Sequence, residues 1–197
     1  MVTLVLLPGL DVTGVLFAEF AAHFGAGVRV VVASYPPDAA LGYSELETVA
    51  RSFLPRDEPF VLLGESFSGP IAISIAAARP PGLLGLVLCC SFALTPRPSL
   101  AVFRPLLSIV PVAALPFALL DFLLLGRFTS QPLRRALAHA LARVSSAALR
   151  ERARAVLSVD VSAALSRIDV PVLYLRASED RLVPESASRS IVAAAPA

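Results

Sequence analysis

The sequence predicts an α/β fold: a mostly parallel sheet with helices on both faces and a helical lid inserted after the fourth strand. Three observations carry this reading. Short apolar runs, each the length of a buried strand, alternate with segments of helical spacing. A serine flanked by glycines, Gly64-Glu65-Ser66-Phe67-Ser68-Gly69, joins one such run to a helix of small residues. Another run, Val170 to Leu175, leads into an acidic pair, Glu179-Asp180, and a further helix.

Taken in order, Thr3 to Leu7 is the first buried strand, and Pro8 to Gly14 is a turn-rich loop. Leu16, Phe20 and Phe24 share one helical face. Val28 to Ala33 is the second strand, stopped at Tyr35-Pro36-Pro37-Asp38. Ser44 is the expected N-cap of a helix through Phe53, with Glu45 and Glu47 in its first turn. Phe60 to Leu63 is the third strand, Pro70 to Ala78 the helix after the serine, and Leu84 to Cys90 the fourth strand. Val170 to Leu175 is the fifth. Connections between parallel strands are expected to be right-handed. No internal repeat stands out.

This divides the chain into a core part at 1–90, a helical lid at 91–169 and a continuation of the core at 170–197. Pro96, Pro98, Pro105, Pro111 and Pro116 forbid a single long helix in the first half of the lid. Ile109 to Leu125 is apolar enough to raise a membrane span, but it is short and holds Pro111, Pro116 and Asp121. An apolar covering over a substrate cleft is the preferred reading. Between Arg127 and Arg154 seven arginines face one acid, Glu151. Such a run is ordinarily a solvated face; its sharper reading is contact with an acidic carrier protein or an anionic membrane surface.

Of the 197 residues, 56% are hydrophobic and 16% charged, so a large core is readily supplied. A formal net charge of +2 gives no argument for nucleic acid. All 17 basic residues are arginine, which excludes Schiff-base chemistry, a lysine-anchored pyridoxal cofactor and a phosphate-binding P-loop. No cofactor is expected. The adjacent Cys89 and Cys90 read as reduced core residues, and with two distant histidines no metal site is expected. The first residues, MVTLVLLPGL, lack a basic start and a cleavage site, and the chain reads as cytoplasmic.

A serine held in a sharp strand-to-helix turn exposes its hydroxyl at the strand's end, which is the geometry of a nucleophile elbow. The pattern G-x-S-x-G wants glycine where this chain has Ser68; serine adds only a hydroxymethyl group, and Gly69 follows. The plainer alternative is a simple βα turn. Ligands of open parallel sheets bind beyond the carboxyl ends of the strands, where both Ser66 and Asp180 lie. The plainer alternative for Asp180 is a cap on the helix that follows.

Three stretches, LVLLPGLDVTG at Leu4–Gly14, GESFSG at Gly64–Gly69 and SEDRLVP at Ser178–Pro184, together resemble the α/β-hydrolase superfamily in its serine esterase and lipase-like branch. The resemblance runs along most of the chain in the family's order. It implies Ser66 as nucleophile, Asp180 as the acid that orients a histidine, and the backbone N–H groups of Phe67 and Leu10 as the oxyanion hole. It also implies a histidine after the acid. No histidine follows residue 139, so no catalytic histidine is identified. His23 and His139 read as exposed helix residues, though His139 over the cleft, or a base from a second chain, stays open. The family's last strand and helix are not found either. The chain therefore reads as a truncated form of a longer hydrolase, weak or inactive, with an exposed sheet edge that favours self-association. The expected substrate is a lipophilic ester or thioester. The alternative is a non-catalytic binding module on the same scaffold, held peripherally at a membrane.

Overall fold

A computed structural model describes residues 1–99 and 116–194. Five strands form one sheet: β1 (Val2–Leu7), β2 (Val28–Val32), β3 (Phe60–Glu65), β4 (Leu83–Cys89) and β5 (Val172–Leu175). Their order is β2-β1-β3-β4-β5, and every pairing is parallel. Each connection must therefore cross the sheet, and the crossings are helical. These helices are α1 (Ala18–Ala22), α2 (Tyr43–Arg51), α3 (Gly69–Ala77), α4 (Phe117–Leu124), α5 (Gln131–Ala142), α6 (Ser146–Val156), α7 (Ser162–Leu165) and α8 (Glu185–Ala194).

The two faces of the sheet are covered unequally. Val5, Leu62, Leu86 and Leu88 point to the large core, where α3 packs with all but its solvent-side residues buried. Successive side chains alternate, so Leu4, Leu6, Leu63 and Val87 point the other way. There the first helix and its leading 3₁₀ turn, with Phe17 and Phe24, cover the β1–β2 half. No described element covers the β4–β5 half: Leu173 is 54% exposed, Leu175 43%, and Leu84, at an irregularity in the β3–β4 register, 50%. Parallel strands are normally buried on both faces, so this is an unusual expanse of bare hydrocarbon.

The elements meet the expected positions within a few residues, and the departures have local causes. Helix α2 starts at Tyr43 with Gly42 before it, so Ser44 lies inside its first turn and is not the N-cap. The fifth strand begins at Val172 because Pro171 cannot donate to a ladder, although its carbonyl accepts from Leu86 N–H at 3.0 Å. Ser130 and Ser145 cap α5 and α6 by accepting from the N–H of Leu133 and Ala148. The arginine run is not uniformly solvated. Arg134 pairs with Asp121 at 3.3 Å, Arg154 with Glu151 at 3.4 Å, and Arg127 with Glu179. Arg152 is fully buried, donating to the carbonyl of Pro36 at 2.8 Å, because its side of α6 faces the Tyr35-Pro36 turn. Among the described residues no helix is long and apolar enough to cross a membrane. Pro105, Pro111 and the 109–115 part of the apolar run lie outside the described residues.

The bare β4–β5 face should make the chain self-associate. Gel filtration across a concentration series should show an apparent mass above the monomer that rises with concentration. Leu173→Arg with Leu175→Arg should return the profile toward monomer. A sharp, concentration-independent monomer peak for the unaltered chain would refute this.

Candidate functional site

The turn after β3 is fixed by close approach. A Cβ on Gly64 would lie 2.7 Å from Ala72 Cβ and 2.9 Å from the Ser68 carbonyl oxygen. A Cβ on Gly69 would lie 1.6 Å from Ser91 Oγ. Only hydrogen fits at either place. Between them Ser66 has φ 45°, the left-handed region that side-chain-bearing residues avoid. Ser91 Oγ donates to the Ser66 carbonyl at 2.7 Å, which ties the strained turn to the end of β4. Tyr174 of β5 extends the tie. Its hydroxyl donates to the Ser91 carbonyl at 2.6 Å and accepts the Ser91 N–H at 3.1 Å.

Ser68, the departure from the glycine pattern, has a structural role of its own. Its hydroxyl is buried and donates to the carbonyl of Pro8. It has one proton, so at 3.0 Å it accepts from Tyr35 O–H. Burial pushes the Tyr35 phenol far up, which keeps it a donor. The elbow is thereby clamped to the loop after β1. That loop is itself strained: Val12 has φ 58°, with its N–H donating to Gly9 O at 3.1 Å. Asp11, also buried, accepts from Thr13 Oγ1 at 2.8 Å.

Ser66 opens onto two cavities. The larger, about 400 Å³, is walled by apolar side chains including Leu10, Phe67, Phe92, Leu123, Leu137 and Leu149. The smaller, about 220 Å³, is shared by Ser66, Glu65, Cys90 and Asp180. Ser66 and Asp180 thus face one space, while Leu10 and Phe67 line the other. Phe67 is buried and stacks on Tyr43 with ring centroids 4.9 Å apart. Asp180 Oδ1 accepts from the N–H groups of Leu182 and Val183 at 2.9 and 2.8 Å. It caps the turn after β5, not helix α8, which begins at Glu185. Helix α4 walls both cavities through Leu123 and Leu124. Arg181 fastens it, donating to the Phe122 carbonyl at 2.8 Å with its guanidinium 4.2 Å over the Phe122 ring. His23 and His139 are both exposed and line neither cavity. His23 bonds the Glu19 carbonyl of its own helix through Nδ1 at 2.7 Å. Among the described residues no cluster suited to a metal ion occurs.

Two residues at this rim escaped the sequence reading. Glu65 shares a sheet face with Leu63 and lines both cavities. Its Oε2 accepts the Gly9 N–H at 3.3 Å. Burial, helped by the nearby Asp11 carboxylate and opposed by the Gly9 bond, raises its pKa to about 7. A carboxylate ending an apolar run was the available signal. Cys89 and Cys90 are free thiols half-buried at the sheet's end; Cys89 packs against the smaller core cluster of Leu4, Leu6, Phe17 and Leu63, and Cys90 lines the smaller cavity.

Ser68→Ala should destabilise the chain by about 1–3 kcal/mol by stranding the Tyr35 hydroxyl. Adding Tyr35→Phe should then cost less than it does alone, read from denaturant midpoints. Glu65 folds more favourably when protonated. Its contribution is complete below its ordinary value of 4.5 and is lost as pH rises through 7. Over that window the unaltered chain should lose about 1–3 kcal/mol relative to Glu65→Gln. Parallel pH profiles would refute the assignment.

The model of the alpha/beta hydrolase family matches residues 4–197. Among solved structures the chain is similar to an esterase from Exiguobacterium antarcticum, with TM-score 0.80 and 17% identity over 99% of this chain and 80% of that one. It is similar to an enol-lactonase from Burkholderia xenovorans LB400, with TM-score 0.77 and 18% identity over 98% and 79%. A bromoperoxidase from Bacillus anthracis gives 0.76 and 16% over 98% and 80%. These likenesses are of fold. A search of curated proteins gives no match. The parallel sheet, the strained serine turn at its centre and the family match over nearly the whole chain make this protein a member of the α/β-hydrolase family.

Proposed function

We propose that this chain carries the acyl-transfer site of a hydrolase for carboxylic esters or thioesters with a lipophilic acyl group. The observation that carries the reading is Ser66, strained at φ 45° where an apolar cavity of about 400 Å³ meets a smaller one holding Asp180. The apolar cavity suits an acyl chain, with the 117–165 helices acting as its lid. The hydroxyl then sits at the acyl carbon. Attack by Ser66 Oγ builds negative charge on the carbonyl oxygen. The N–H groups of Phe67 and Leu10 are the donors proposed to receive it, and losing one such donor typically costs about 10²–10³ in rate. The leaving group departs, an acyl-enzyme remains, and water releases the acid. The names of the esterase and lactonase neighbours agree with this class of reaction.

A serine hydroxyl needs a base, and neither histidine of the chain lines the site. Asp180 therefore has no imidazole to orient within this chain, and its unaided rate is proposed to be low. The same observation favours a second reading, a binding module that has kept the scaffold without the chemistry.

Hydrolysis of p-nitrophenyl esters separates the two. Under the first reading Ser66→Ala abolishes a slow activity, added imidazole raises the Ser66-dependent part several-fold, and a fluorophosphonate probe labels Ser66. Longer acyl esters should be cleaved faster than acetate. Rates identical in the unaltered chain and Ser66→Ala, with and without imidazole, would sink the acyl-transfer reading and leave the binding module.

A further inference from the structure

We infer that Cys89 and Cys90 form a peroxide-reactive thiol pair, in which Cys90 is attacked first and Cys89 resolves it to a vicinal disulfide. Neighbouring residues in a strand point to opposite faces, which would hold two adjacent sulfurs apart. Here the strand ends at Cys89, and Cys90 takes φ 48°, a left-handed conformation rare for a side-chain-bearing residue. Its N–H donates to the Leu175 carbonyl at 2.8 Å, which fixes that conformation against β5. The turn breaks the alternation that would otherwise send the two side chains to opposite faces. Cys90 also lines the smaller cavity, so a small oxidant can reach it.

The two thiols differ in environment. The Cys89 thiol and the Ala177 N–H favour a Cys90 thiolate, while burial and the Asp180 carboxylate oppose it; the balance holds Cys90 below the ordinary thiol range. Cys89 is pushed up, first by its bond to Cys90 and then by burial. Cys90 faces the cavity and is the sulfur an oxidant meets first, with Cys89 next to it in the chain, the arrangement that favours reversible oxidation.

The chemistry closes with a hydroperoxide as oxidant. The Cys90 thiolate attacks one peroxide oxygen, the O–O bond breaks, and hydroxide leaves and is protonated. Cys90 becomes a sulfenic acid, oxidised by two electrons as the peroxide is reduced. Cys89 loses its proton, its sulfur attacks the sulfenic sulfur, the S–S bond forms, the S–O bond breaks, and the oxygen departs as water. In sum two thiols and hydrogen peroxide give one disulfide and two waters. Adjacent Cα atoms lie only about 3.8 Å apart, short of the usual disulfide span. The ring is therefore strained and readily reduced again. Nothing in this sequence of steps uses Ser66.

The test is mass spectrometry of the full chain after brief exposure to hydrogen peroxide at pH 7. The unaltered chain should lose two hydrogen masses within the peptide bearing both cysteines, stay monomeric on a non-reducing denaturing gel, and recover with dithiothreitol. Cys89→Ala should instead give a Cys90 sulfenic acid trapped by dimedone, passing to the sulfinic acid. In Cys90→Ala, Cys89 should react roughly tenfold more slowly than Cys90 does in Cys89→Ala. Ser66→Ala should behave as the unaltered chain, which keeps this result separate from the fate of the acyl-transfer reading. Direct passage to sulfinic acid in the unaltered chain, intermolecular disulfides only, or equal reactivity of the two single variants would overturn the proposal.

Discussion

The close crossing of α3 over the sheet governs this molecule. Gly64 and Gly69 leave no room for a Cβ, and Ser91 sits where a side chain on Gly69 would go. That contact draws the end of β4 against the turn after β3 and holds Ser66 in its strained conformation. The strain is maintained because the turn is bonded on both sides. Ser91 and Tyr174 anchor it toward β5, and Ser68 and Tyr35 anchor it toward the loop after β1. Ser68, Tyr35 and Ser91 are buried and Tyr174 is half-buried, and each hydroxyl has its partner, the condition under which polar networks rigidify a fold.

A parallel sheet delivers every strand's carboxyl end to one rim, so polar groups far apart in sequence collect there. In this chain the collection is acidic and nucleophilic: Asp11, Glu65, Ser66, Cys90 and Asp180. Like charges in a partly dry space resist ionisation together. Burial and the nearby Asp11 carboxylate raise the pKa of Glu65, and two backbone N–H groups hold the Asp180 side chain in place.

The helical segment between β4 and β5 and the open half-sheet show how unevenly the chain spends its hydrophobic residues. Leucines of α4, α5 and α6 line a cavity next to Ser66, and Arg181 and the Arg127–Glu179 pair fasten α4 to the loop carrying Asp180. On the opposite face, Leu173 and Leu175 have no covering element among the described residues. Apolar composition alone does not distinguish these two fates; what lies across from each side chain does.

Much of the architecture was legible because it depends on local pattern. Apolar runs of strand length, proline and glycine stops, and helical spacing do not need tertiary context to be read, and they placed all five strands within two residues. The serine turn was legible for the same reason, since glycine spacing around Ser66 reflects a steric need that only glycine meets. The rest depended on partners distant in the chain. That Ser68 is a clamp follows from Pro8 and Tyr35, that Arg152 is buried follows from Pro36, and that the Glu65 pKa is raised follows from its burial beside Asp11. The sequence by itself determined the periodicity, the turns and the types of reactive group. Only the folded chain decided which groups share a cavity and which are stripped of water, because those are set by distances between segments that no local pattern encodes.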